Sequence, residues 1–105
     1  MEKSIQEQGP SLSSWVKIPD NILCRELDGE LVVLNLARGT YFSLNPVGTR
    51  IWQLIQTGNG QLEAVLHHLL EEFAVDEQLA RTDLLALVSS LQKHELVALT
   101  AAPNS

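Results

Sequence analysis

Glu63, His67 and Glu71 recur every fourth residue in a segment of helical apolar period, which places two carboxylates and an imidazole on one helix face. Such a face could present ligands to a divalent cation. Opposite a leucine stripe, however, it is more commonly a solvated surface, and three ligands at this spacing spell no known metal motif. His68 is turned about 100° around the same helix. His94 stands alone near a predicted helix end, where an imidazole caps more readily than it catalyses. Cys24 has neither a CxxC partner nor a basic pair to stabilise its thiolate, so an inert strand residue is expected. Gly-x-Gly-x-x-Gly, P-loop and Gly-x-Ser-x-Gly patterns are missing from the sequence. Arg38-Gly39-Thr40 and Gly58-Asn59-Gly60 read as turns. The expectation is a chain without catalytic residues, metal site or cofactor: a binding module, not an enzyme.

The 105 residues carry 7 Lys+Arg against 13 Asp+Glu, a formal charge of −6. That length suits one domain, which buries only about two-thirds of its unfolded surface and has little room for a deep active site. A hydrophobic fraction of 45% is too high for an intrinsically disordered chain. No apolar run approaches the ~18 residues of a membrane span, and MEKSIQEQGPSLSS has no signal-peptide core. With a single cysteine, a cytoplasmic setting is expected. The acidic balance argues against nucleic acid, because neutralising phosphates requires clustered Lys and Arg.

Residues 1–14 are polar and aperiodic, which predicts a mobile arm, with Trp15 to Pro19 clipping it to a domain over residues 15–99. Residues 100–105 read as a frayed tail. Ile22 to Leu27 runs into Asp28-Gly29, the strongest short hairpin signal. Leu31 to Leu36 and Thr40 to Leu44 complete a three-stranded antiparallel meander. Asn45-Pro46 then starts a helix with a cap and an N1 proline. A second helix over Gln61–Phe73 places Leu62, Val65, Leu66, Leu69, Leu70 and Phe73 in one stripe. A third runs from an Asp76 cap to about His94, with Ala80, Leu84, Leu87, Val88 and Leu91 as its apolar stripe. Leu96 to Leu99 is expected to pack back on the domain, with a further strand as one option. The fold class is α+β, a three-stranded antiparallel sheet followed by three helices.

Two features point to binding. The strand Thr40–Leu44 ends the meander and has no Lys, Glu or Pro to blunt its outer edge, which is open to another chain unless the C-terminal tail covers it. On the third helix, Arg81, Leu85, Val88 and Gln92 form a ridge beside the core stripe, a candidate wall for a peptide groove.

The segments DGELVVLNL (28–36), GTYFSLN (39–45) and VGTRIW (47–52) resemble the PqqD-like family of small peptide chaperones. Phe73-Ala74-Val75-Asp76, Asp83, Leu87, Leu91 and Leu96 agree with its helical half, so the resemblance spans roughly residues 17–99. One departure is Glu95, where the family commonly has glycine before the final leucine. The resemblance implies a winged helix-turn-helix-like domain that binds the N-terminal leader of a ribosomally made precursor peptide, as a strand added beside the third strand. Carried onto this sequence, it implies that Thr40, Tyr41, Phe42, Ser43 and Leu44 supply main-chain hydrogen bonds. Arg81, Leu84, Leu85 and Val88 would line side-chain pockets, and Asp83 would meet a leader cation or support its own helix. As a discrete chain it is similar to the members of lasso-peptide systems. There the partners are a transglutaminase-like leader peptidase and an ATP-dependent cyclase. A monomer or weak dimer, with no membrane or nucleic-acid partner, is expected. Two alternatives remain at this stage: a winged-helix DNA-binding regulator, and a partner of a radical enzyme in cofactor or other modified-peptide biosynthesis. The first would need a basic recognition helix, yet the second helix has Glu63, Glu71 and Glu72 and no Lys or Arg.

Overall fold

In a computed structural model that describes residues 10–58 and 60–100, Asp28 and Gly29 hold φ values of 52° and 83°. Left-handed backbone at both central positions is what a type I′ turn demands. The turn joins β2 (Ile22–Leu27) to β3 (Glu30–Asn35), and a second connection, with Gly39 at φ 74°, leads to β4 (Thr40–Leu44). The sheet order is β2-β3-β4, with Val33 opposite Cys24 on one side and Phe42 on the other. Side chains alternate across the sheet. Ile22, Cys24, Leu31, Val33, Phe42 and Leu44 face the helices, while Leu23, Leu27 and Tyr41 face outward.

Three helices cover the inner face. α1 (Pro46–Thr57) starts at Asn45, whose side chain accepts from the Gly48 amide at 2.8 Å, with Pro46 at N1 as the sequence predicts. α2 (Leu62–Glu72) is capped by the Gln61 side chain and α3 (Glu77–Lys93) by Asp76, which accepts from the Leu79 amide at 3.0 Å. Trp52, Leu62, Leu66, Leu84, Val88 and Leu91 meet in the core, each almost wholly buried. The Arg50 guanidinium grips the Glu72 carboxylate through two 2.7 Å hydrogen bonds, tying α1 to α2 and holding that carboxyl below its usual range.

The predicted three-stranded sheet and three helices are present, and a second small sheet joins them. β1 (Trp15–Lys17) pairs antiparallel with β5 (Ala98–Thr100). The C-terminal segment is therefore a strand, but it lies beside β1 and not beside β4. Thr100, expected in the tail, pairs with Trp15; residues 101–105 lie outside the described residues. The expected arm shifts likewise. Residues 1–9 lie outside the described set, whereas Ser14 and Leu12 accept hydrogen bonds from the first amides of α2, those of Leu62 and Glu63. Those amides have no partner within their own helix, and the preceding chain supplies one. Val16 is buried against Gly60, whose missing Cβ would stand 2.2 Å from the Val16 carbonyl oxygen.

The end of α3 shows how the fold accommodates Glu95. The Leu96 amide donates to the Leu91 carbonyl at 2.9 Å and the Glu95 amide to that of Gln92 at 3.0 Å, the two bonds of a Schellman motif. Glu95 takes the left-handed position at φ 59°, where glycine costs less. Its carbonyl accepts from the Asn35 side-chain amide, and the Thr40 hydroxyl donates to the His94 carbonyl at 2.6 Å. Asn35 itself is 3% exposed, and its side-chain oxygen accepts from Asn21, Ala37 and Arg38. One buried amide thus shapes the β3–β4 turn and fastens it to the end of α3.

Replacing Asn35 by Ala strands buried donors and acceptors and is expected to cost about 2–4 kcal/mol in urea unfolding. Glu95→Gly relieves the left-handed residue while losing only an exposed pair with Arg38. It is expected to gain about 0.5–1 kcal/mol, and a loss of stability would refute the strain assigned to Glu95.

Candidate functional site

The open edge of the sheet follows from its first turn. A two-residue hairpin makes its flanking residues, Leu27 and Glu30, a hydrogen-bonded pair, and bonded pairs recur every second residue. Arg25 with Val32 and Leu23 with Leu34 continue the series, and the Leu36 amide donating to the Asn21 carbonyl at 3.0 Å extends it in phase. Glu30, Val32 and Leu34 therefore direct their backbone groups to β2. Leu31, Val33 and Asn35 direct theirs to β4, where they meet Leu44, Phe42 and Thr40. Tyr41 and Ser43 are left with both N–H and C=O facing away from the sheet. Among the described residues no strand pairs with that side of β4. β2 is also an edge, but it carries Arg25 and Glu26, charges that discourage pairing, whereas β4 carries none.

Beside the β4 edge lies a groove of about 380 Å³. Leu44, Ile51, Leu69, Ala80 and Leu84 form its buried floor. Phe42 and Val47 rise on the sheet side, Phe73 and Val75 close one end, and Leu79, Asp83, Ala86 and Leu87 make the helical wall. Val47, Val75 and Leu79 are 40%, 44% and 56% exposed, so the rim as well as the floor is apolar. Only Ser43, Asn45 and Asp83 bring polar side chains to the lining, and Asp83 alone is charged. Gly48 is tucked beneath Leu44 and Asn45, where a Cβ would come within 3.3 Å of both side chains.

Phe42, Ser43, Leu44, Asp83 and Leu84 of the predicted site meet at this groove. Thr40 and Tyr41 flank it: the Thr40 backbone is turned to β3 and its hydroxyl to His94, while the Tyr41 ring is 64% exposed on the outer face. Arg81, Leu85 and Val88 stand off the lining. Arg81 pairs with Glu77 at 3.1 Å, Leu85 is half-buried against the core and Val88 is wholly buried within it. The helical wall is therefore turned partway round α3 from the predicted ridge, onto Leu79, Asp83, Ala86 and Leu87. The spacing of Leu79, Asp83 and Leu87 by four was the available signal. It was masked because Leu87 also fits the core stripe. Val47 and Phe73 fit the apolar patterns of the first two helices and read as core, and Val75 lies in a connection, so none of them pointed to the groove.

The other chemistry-bearing residues are placed as follows. Glu63, His67 and Glu71 line a shallow surface depression on α2, and among the described residues no group of three His, Cys, Asp or Glu side chains comes together to hold a metal ion. His94 is the C-cap of α3. Its Nδ1 lies 2.8 Å from the Ser90 carbonyl, which can only accept, so Nδ1 carries the proton. Its ring meets Phe42 edge-on at 5.5 Å. Burial pushes the Cys24 thiol up, opposed in part by the Trp52 indole beside it. That indole N–H, buried, reaches no partner in good hydrogen-bond geometry. No helix among the described residues is long and apolar enough to cross a membrane.

An open, uncharged sheet edge over an apolar groove defines a small α+β polypeptide-binding module. The chain belongs to the PqqD family: the family model for coenzyme PQQ synthesis protein D (PqqD) matches residues 30–97. Two solved structures are similar. TbiB1 in complex with the TbiA(beta) leader peptide shares 36% identity over 77% of this chain and 93% of its own, with a TM-score of 0.70. Lasso peptide synthetase B1 complexed with the leader peptide shares 25% identity over 79% and 96%, with a TM-score of 0.63. No curated protein matches the chain significantly.

With its thiol protonated at neutral pH and half-buried, Cys24 is expected to react with iodoacetamide much more slowly in the folded protein than in urea. Equal rates followed by mass spectrometry would contradict the placement.

Proposed function

We propose that this chain is a non-catalytic chaperone for a ribosomally made precursor peptide. It binds the leader as an extra strand on β4 and delivers the core to separate processing enzymes. The observation that carries this reading is the pair of outward-facing residues, Tyr41 and Ser43, bordering an apolar groove. Main-chain bonds to that pair supply affinity without regard to sequence, and the groove selects side chains. In an added strand, residues opposite Phe42 and Leu44 point into the groove, and the alternate ones join the exposed outer face. Thr40, Phe42 and Leu44 shape the inner side of the edge, and their own backbone groups are spent on β3.

Leader complexes of TbiB1 and lasso peptide synthetase B1, similar over more than three-quarters of this chain, support the choice of guest. They also favour a lasso-peptide pathway, in which a leader peptidase and a cyclase would receive the bound precursor. The mechanism is tethering. A disordered leader loses conformational entropy on binding, which moderates affinity, and the bound complex raises the local concentration of the core peptide at the enzyme. The DNA-binding alternative is disfavoured by α2, where Glu63, Glu71 and Glu72 would face a polyanion with no Lys or Arg. A monomer or weak dimer, a cytoplasmic location and action without cofactor belong to this reading.

Ser43→Pro removes only an outward N–H, so the ladder to β3 survives while strand addition is blocked. Near-native circular dichroism with at least tenfold weaker binding of a fluorescent leader peptide is expected. Leu79→Asp places a charge on the groove wall and is expected to weaken the same titration by at least tenfold. Unchanged affinity in both variants would overturn the site.

A further inference from the structure

We propose that the Tyr41 side chain is a second specificity element, which selects an aromatic or β-branched residue on the outer face of the bound strand. The inference rests on the added strand proposed above and concerns the face of that strand turned away from the groove.

The outer face of the sheet carries one row of side chains that is apolar across all three strands. Leu23 pairs with Leu34, and Leu34 with Tyr41, so the row runs in register from β2 to the open edge. Leu23 is 41% exposed and Tyr41 64%, and Leu34 between them is half-buried without packing on the core. The next row, Arg25, Val32 and Ser43, is polar at both ends. A water-facing sheet surface ordinarily alternates to polar residues, and threonine would serve the strand at position 41. The tyrosine instead puts a large apolar ring at the last place in the row.

An added strand continues that row. Tyr41 turns both backbone groups outward, and a guest residue in register with it shares its side of the sheet, whichever way the strand runs. Side chains so placed lie about 5 Å apart at Cβ, within reach of a phenol ring. The guest residue beside Ser43 meets only a short hydroxyl side chain and goes unselected. The groove takes the residues beside Phe42 and Leu44. For guest residues facing Leu44, Ser43, Phe42 and Tyr41 in turn, the favoured pattern is apolar, free, apolar, then aromatic or β-branched. Two adjacent apolar residues, one read on each face, distinguish this guest from a plain alternating strand.

The test uses fluorescent, end-capped peptides with Leu at inward positions and Thr at outward ones, the central outward position carrying Tyr, Val or Thr. Wild type is expected to bind the Tyr and Val peptides about two- to fivefold tighter than the Thr peptide. Tyr41→Thr, which keeps a strand former and the outward backbone groups, should remove the difference. Tyr41 is the chain's one tyrosine, so its ring signals need no assignment. In the saturated complex with a ¹³C-labelled Val peptide, they should show nuclear Overhauser contacts to the Val methyls. Equal affinities in wild type, a preference that persists in Tyr41→Thr, or a saturated complex without those contacts would overturn the outer-face selection. Loss of binding in Ser43→Pro would leave the peptide site standing in each of these cases. Binding of none of these peptides, nor of any leader peptide, would overturn both.

Discussion

The hydrogen-bond phase of the β2-β3-β4 sheet is the constraint on which the site depends. Once Asp28 and Gly29 close a two-residue turn, Leu27 and Glu30 must bond to each other, and the alternation runs across the sheet without further choice. It assigns Thr40, Phe42 and Leu44 to the neighbour and leaves the backbone groups of Tyr41 and Ser43 facing outward. The same alternation puts Phe42 and Leu44 beside the groove and Tyr41 on the outer face. A one-residue slip would exchange the two sets and turn the apolar side chains to solvent.

The rest of the fold keeps that edge in place without covering it. The C-terminal segment, which has the composition to pair with β4, is taken up by β1 instead. The near end of β4 is fixed by the Thr40 hydroxyl on the His94 carbonyl and by the Asn35 amide on that of Glu95. The far end is fixed where Leu44 passes directly into the Asn45 cap of α1. A strand held at both ends and bonded on one side is an ordered template. In the proposed complex, the added peptide would supply nearly all the ordering cost of association.

Much of this is legible in the residues. Asp28-Gly29, the β-branched run after it and Asn45-Pro46 mark their elements with local chemistry, which acts whatever the surroundings. The edge character of Thr40–Leu44 was legible too, since it needs only strand order and missing charge. The helical wall was less so. Leu85 and Leu87 are equally apolar, and only the packing of α3 on α1 and α2 decides which of them borders the groove. Glu95 is instructive in the other direction. Without the glycine common in the family, a left-handed cap was not expected there, but the Schellman bonds and the Asn35 contact impose the left-handed backbone on glutamate. β1 was missed as a strand because Trp15 to Lys17 is too short to show a period, and its partner lies at the opposite end of the chain.

The central claim is that a guest backbone bonds to Tyr41 and Ser43 and to no residue between them. Scalar couplings across hydrogen bonds, read by NMR between the ¹⁵N amides of this chain and the ¹³C carbonyls of a labelled leader peptide, test it directly. The account predicts couplings from the Tyr41 and Ser43 amides and none from Phe42. Couplings from Phe42, or a saturated complex with none anywhere along β4, would contradict it.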